Sequence, residues 1–301
     1  MPSQKLSIKS NLRQKLHWLG SAFALAGIIF VVIRMRTYWL ELDFSKVTPQ
    51  VWLAIGTLAI VYGLANILLA SAWRHLLIHL GAPVSRLWSI RIYGISQLAK
   101  YLPGNIFHLA GRQALGMAAG LPTRALAKST FWELGLIVLT AALFSSLVLP
   151  VFLPSFSVIL CVPILLMSAC VLAAVLRKFG GPETVRAFFC QGIFLAISAG
   201  IFTMLVGVIS VNQAIPAQLW PTIGGAYIVA WLAGLITPGA PAGVGVREMI
   251  LLLLLKGAVQ EADLLMAILL GRLVTVTGDL LFFVGASFLQ PKAKLTDTDN
   301  A

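Results

Sequence analysis

Three stretches of this sequence set charged and hydrogen-bonding side chains in otherwise apolar surroundings. In the first, Gln97 and Lys100 precede a Pro103-Gly104 break, and Asn105, His108 and Arg112 follow it at i, i+3 and i+7. On a helix that spacing puts all three on one face. The second stretch reads Pro238-Gly239 and then Gly243, Gly245, Arg247 and Glu248. The third carries Arg272, Thr275 and Asp279, again on one helical face. Cations, an imidazole and an amide aligned in this way suit the binding of an anion. A helix that starts after each Pro-Gly break would add unpaired N–H groups and partial positive charge. Gly243 and Gly245 leave room beside Arg247 for a headgroup or a neighbouring helix. The plain alternatives are snorkelling for the two arginines and a structural ion network for Arg272 and Asp279, with Glu248 and Glu133 as candidate partners. General-base chemistry by Glu133, Glu248 or Asp279 ranks last.

The elements that must hold these residues follow from composition. Of 301 residues, 59% are hydrophobic and 11% charged, against roughly 25% charged in a soluble domain. That is too few charges to coat a water-facing surface. Apolar windows fall at 17–34, 51–72, 84–102, 127–149, 156–176, 187–210, 219–237 and 262–288, each near the ~20 residues that cross a bilayer as a helix. Two further apolar segments, 103–120 and 238–257, open on Pro-Gly and are too short to span alone. They are expected to dip in and return as half-helices, with Pro103, Gly104, Pro238, Gly239, Gly243 and Gly245 as the helix-breaking positions.

Both broken segments read Pro-Gly-x7-Arg, and they lie 135 residues apart. The same offset carries 17–34, 51–72, 84–102 and 127–149 onto 152–169, 186–207, 219–237 and 262–284, each overlapping a span assigned independently. The expected fold is therefore an all-α polytopic membrane protein built as an inverted-topology repeat of two halves, each with a broken-helix (re-entrant) hairpin. One integral membrane domain covers 1–301, with a first half at 1–150, an inverted second half at 151–290 and a cytoplasmic tail at 291–301. The inversion follows because a returning hairpin leaves each half with an odd number of crossings.

Charge placement supports that topology. The net charge of +12 would suggest a nucleic-acid partner in a soluble chain. With the N-terminus in the cytoplasm, however, predicted inside segments carry 14 Lys and Arg and predicted outside segments carry 4, as the positive-inside rule requires. The expected location is the cell inner (plasma) membrane, multi-pass, with both termini cytoplasmic and no nucleic acid bound. Lys100, Arg112, Arg247 and Arg272 are the four cations left at membrane depth. Seven or eight helical residues rise roughly 10–12 Å, which sets Arg112 toward the inner leaflet and Arg247 toward the outer.

Other chemistries are excluded or disfavoured. The longest loops between spans are about 16 residues, too short for a soluble catalytic domain. There is no P-loop, no Gly-x-Ser-x-Gly and no HExxH, so neither ATP-driven transport by this chain nor an enzyme is expected. Cys161, Cys170 and Cys190 lie in apolar runs and read as small hydrophobes. His75 and His79, at i and i+4, have no third ligand in sequence, and neither metal nor cofactor is expected. The basic N-terminus before 17–34 resembles a signal peptide without a small-x-small cleavage site, which favours an uncleaved first span.

The run from Gln97 to Arg112, the run Pro238-Gly-Ala-Pro-Ala-Gly-Val-Gly-Val-Arg247-Glu248, and Gly271-Arg272-Leu-Val-Thr-Val-Thr-Gly-Asp279 resemble the lysylphosphatidylglycerol synthase transmembrane region family. That family includes the flippase module of the multiple peptide resistance factor and many stand-alone membrane proteins. It often reads Pro-Gly-Gly-x-Gly-x-Arg-Glu where this chain has Ala240-Pro241-Ala242 within the motif. The resemblance implies a membrane protein that moves a lipid with an anionic or otherwise charged headgroup between leaflets, of the phospholipid or polyprenyl-phosphate type. It does not imply aminoacyl transfer, which lies in a separate cytosolic domain of two-part members. An alternative expectation is an accessory subunit for cell-envelope lipid-linked glycan assembly, with an envelope glycosyltransferase as partner.

Overall fold

Thr48 is extended and Pro49 opens the first long helix, an arrangement that suits proline because its missing N–H has no intrahelical acceptor there. The computed structural model describes residues 48–102, 106–153, 156–210, 215–237 and 245–290, with isolated positions 29, 33, 36 and 40. Most of the 17–34 span, the breaks at Pro103, Gly104, Asn105, Pro238, Gly239 and Gly243, and the 291–301 tail lie outside the described residues. Helix α1 is Pro49–His79, α2 Arg86–Gln97, α3 Phe107–Ala118, α4 Thr123–Phe144, α5 Val158–Ile209, α6 Trp220–Ile236, α7 Val246–Leu254 and α8 Glu261–Phe288. Among the described residues there is no strand, only an isolated bridge between Lys256 and Val259.

Among the described residues, five helical stretches are long and apolar enough to cross a membrane: Pro49–His79, Thr123–Phe152, Val158–Ile209, Ala217–Ile236 and Glu261–Phe288. Their outward faces carry large apolar side chains in the open, including Leu53, Phe131, Ile159 and Phe179. A surface of that kind is stable against lipid, not water. The N-terminal arm of α5 is apolar all round and little buried, with Cys161 and Leu176 among its few buried side chains, as expected of a peripheral helix with one side in acyl chains. The molecule is thus a membrane-embedded α-helical protein.

Two features depart from the sequence expectation. The 84–102 window was expected to span, but α2 has 12 residues and then tightens into a 3-10 turn at Leu98–Tyr101. Twelve residues rise about 18 Å, short of a ~30 Å hydrocarbon core. Arg86, Arg91, Gln97 and Lys100 lower its apolar content, and the side chains of Gln97 and Tyr101 are buried against other helices. The second departure is at 177–186, expected as a cytoplasmic loop between two spans. The two helices are present on either side, but they meet without an extended loop: the chain turns at Gly181, whose φ of +76° and ψ of −179° are not helical, and Pro182 starts the second arm of α5. A residue with a Cβ resists that φ, and proline is well suited to the first turn of the arm that follows.

Helices α1 and α8 form the centre, packing on each other and on α2 and α5. Their contact is made by glycines: a Cβ on Gly278 would lie 2.7 Å from the Ala59 carbonyl oxygen, and one on Gly63 would lie 2.9 Å from that of Gly278. In lipid, where apolar burial between helices adds little drive, such close backbone approach supplies the van der Waals contact. Gly278→Val is therefore expected to destabilise the fold by about 1–3 kcal/mol through overpacking. Gly285→Val, on the same helix with nothing within 4 Å, is expected to change little. Thermal unfolding of both variants in detergent checks this.

Candidate functional site

Among the described residues, the charged side chains of the three sequence stretches, together with Glu133, sort into three ion pairs and one cation without a carboxylate. The first pair belongs to α3 and α4. Arg112 donates through Nη1 and Nη2 to the two oxygens of Glu133 at 3.1 and 2.5 Å, and Tyr93 Oη donates to Glu133 Oε1 at 3.1 Å. The guanidinium is also enclosed by the Trp73 and Tyr93 rings, whose centroids lie 5.0 and 4.5 Å away. Trp73 is itself stacked on Trp88 and donates to Ser129 Oγ at 3.1 Å. Arg112 is 1% exposed, so a bidentate pair with two aromatic walls accounts for its charge without solvent.

The second pair joins α2 to α8. Lys100 Nζ lies 2.7 Å from Asp279 Oδ2, and Tyr101 Oη donates to the same oxygen at 2.5 Å. On the other oxygen, Asn66 and Gln97 donate amide N–H groups at 3.3 and 3.4 Å, and Gln97 also donates to Asn66 Oδ1 at 3.0 Å. Asp279 is fully buried. A carboxylate at that depth is tolerated because one cation and three neutral donors replace its water.

The third pair closes on α7. Arg272 of α8 donates through Nε and Nη2 to Glu248 Oε1 at 3.2 and 2.8 Å. The other oxygen, Oε2, accepts the N–H of Gly245 at 2.6 Å, as in a capping box at the start of α7. Glu248 therefore ties the first turn of α7 to the last long helix. Arg247, one residue earlier, has no carboxylate within ion-pair distance among the described residues. Its guanidinium faces the Trp231 ring at 5.9 Å, and its buried Nε has no hydrogen-bond partner.

A cavity of about 100 Å³ lies between these groups, with Lys100, His108, Glu133, Arg247 and Arg272 among its walls together with Tyr62, Tyr93, Tyr101 and Trp231. His108 of α3 brings a buried Nδ1 that has no partner. Five of the eight expected binding residues thus take part around one space: Lys100, His108, Arg247 and Arg272 line it, and Asp279 holds Lys100 from behind. Arg112 is turned away into its own pair, Glu248 stands behind Arg272, and Asn105 lies outside the described residues. Among the helix-breaking positions, Gly245 is described, with φ +87° at the N-cap of α7.

Several members of the site were not singled out from sequence: Tyr62, Asn66, Trp73, Tyr93, Tyr101 and Trp231. A signal existed for the α2 group, because Tyr93, Gln97 and Tyr101 recur at i, i+4 and i+8, a polar stripe in an apolar window. No such signal links Trp73 to Arg112. Away from the cavity, His75 Nδ1 lies 2.5 Å from Glu183 Oε2, and His79 is edge-on to Trp132. Glu183 also pairs with Arg186, so these residues brace α1 against the Gly181 turn.

The chain matches no protein-family model, no curated protein and no solved structure. Geometry must therefore carry the interpretation. Removing one partner of the sealed pair leaves a buried charge uncompensated, so Arg112→Ala and Glu133→Ala should each cost about 3–5 kcal/mol. The double variant Arg112→Met with Glu133→Leu should recover most of that loss. Unfolding in mixed detergent micelles measures all three.

Proposed function

We propose that this protein is a flippase-like transporter that moves a lipid with an anionic headgroup between the leaflets of the plasma membrane. The observation that carries the reading is the charge balance around the central cavity. Lys100, Arg112, Arg247 and Arg272 face three carboxylates, Glu133, Glu248 and Asp279. Among the described residues one positive charge, on Arg247, is left over. A cation there is costly unless something pairs with it, and the group that would pair best is an anion that comes and goes. Its neighbours Lys100, Arg272 and His108 supply further donors on the same wall.

The proposed architecture is an inverted-topology repeat with two re-entrant hairpins, α2–α3 and α6–α7. In its support, a shift of 135 residues carries Arg86–Gln97 of α2 to 221–232, inside α6, and Thr123–Phe144 of α4 to 258–279, inside or beside α8. The same shift carries Phe107–Ala118 of α3 to 242–253, overlapping α7, and α1 to 184–214, overlapping the arm of α5 that starts at Pro182. Repeats of this kind, with broken helices meeting at a central site, underlie alternating access in many transporters. The resemblance of the Pro-Gly and Arg-Glu motifs to the lysylphosphatidylglycerol synthase transmembrane region family points the same way. Both ends of the chain would then face the cytoplasm.

Reconstitution in vesicles tests the reading. Fluorescent phosphatidylglycerol should change leaflets faster than in protein-free vesicles, and faster than phosphatidylcholine, whose headgroup carries no net charge. Arg247→Ala should slow the anionic lipid by about tenfold or more, as expected for loss of a charge-assisted contact of roughly 1.5–3 kcal/mol. Wild-type vesicles that exchange lipid no faster than protein-free ones would remove the proposal.

A further inference from the structure

The central cavity does not end at its own walls. Arg247, Arg272 and Thr275 also border a small cavity of about 20 Å³, bounded further by Phe202, Tyr227 and Glu248. Glu248 in turn borders a groove of about 780 Å³ on the flank of the molecule, between α7 and the start of α8. The three spaces share side chains in sequence: Arg272 stands where the first two meet, and its partner Glu248 stands where the last two meet.

We infer that this flank groove is the lateral portal by which an anionic lipid reaches the cavity, its acyl chain lying in the groove and the Arg272–Glu248 pair acting as the inner gate. The inference rests on the transport reading above and adds a route to it. The groove is made for hydrocarbon: Leu252, Leu255, Val259 and Leu264 form its floor, while Met249 and Leu253 stand 57% and 66% exposed beside it. Its rim carries Lys256 and Glu261, one charge of each sign, so the rim does not select an anion. Selection falls to Arg247 and Arg272 further in.

A second apolar groove, of about 580 Å³, runs past Leu53, Met204 and Trp220, but it shares no residue with either the central or the small cavity and has no charged side chain in its walls. Continuity separates the two. The gate also has a mechanical link, because Glu248 holds both Arg272 and the Gly245 N–H that starts α7. An anion that draws Arg272 toward the cavity competes with Glu248 and loosens the first turn of a helix only nine residues long.

The test follows leaflet exchange of fluorescent phosphatidylglycerol in vesicles containing the full chain, together with photolabelling by phosphatidylglycerol bearing a diazirine in its acyl chain. Leu253→Trp puts bulk into the groove from an exposed position that folding does not depend on, and Leu252→Trp does so from its floor. Leu53→Trp adds the same bulk to the other groove. Leu253→Trp is expected to slow exchange by about tenfold, Leu53→Trp to leave it unchanged, and the diazirine to label residues within 245–264. Exchange at the wild-type rate by Leu253→Trp, or labelling confined to other segments, overturns the portal and leaves the transport reading standing. A wild-type protein that exchanges no lipid overturns both.

Discussion

A charge held at bilayer depth must find its counter-charge inside the protein, because hydrocarbon offers neither water nor ions. Nearly every specific contact in this molecule follows from that constraint. Asp279 and Arg272 ride on α8, which crosses α1 at glycine-to-backbone distance, and that crossing brings Asn66 of α1 within reach of the Asp279 carboxylate. The 3-10 turn after α2 delivers Lys100 and Tyr101 to the same group. Glu133 of α4 meets Arg112 of α3, and the short α7 carries Glu248 to Arg272.

The matched arginines of the two Pro-Gly-x7-Arg segments are treated differently. Arg112 has two carboxylate oxygens and two aromatic rings around it, which pairs its charge within the protein although its buried Nε has no hydrogen-bond partner among the described residues. Arg247 has one ring and no carboxylate among the described residues, and it faces the cavity. In the proposed transporter the first half would therefore be the scaffold and the second the responsive side. The Glu248 carboxylate strengthens that division, since it joins the start of α7 to Arg272 and so couples a helix end to the cavity wall.

Much of the organisation is legible in the sequence. Helical class and the positions of most long helices follow from hydropathy, and polar groups in apolar windows point to Lys100, His108, Arg247 and Arg272, which line one cavity. Partner assignment does not follow. Glu133 and Glu248 were both candidates for the α8 charges, yet only Glu248 reaches Arg272, while Glu133 belongs to Arg112 and Asp279 to Lys100. The length of α2 was also out of reach, because a hydropathy window averages over Gln97 and Lys100 and cannot register that their side chains draw the backbone into a tighter turn toward α8.

What the sequence by itself determined is the solvent and the inventory. With 11% charged residues and runs of spanning length, the chain has to live in lipid, and four cations stand in its apolar windows. What only the tertiary structure decided is which of those cations is left over. Pairing depends on distances between helices far apart in the chain, such as the 179 residues between Lys100 and Asp279, and local periodicity contains no information about those distances. The packing of α1, α2, α7 and α8 sets them, and through them it leaves Arg247 on the wall of a cavity with no carboxylate at ion-pair distance among the described residues.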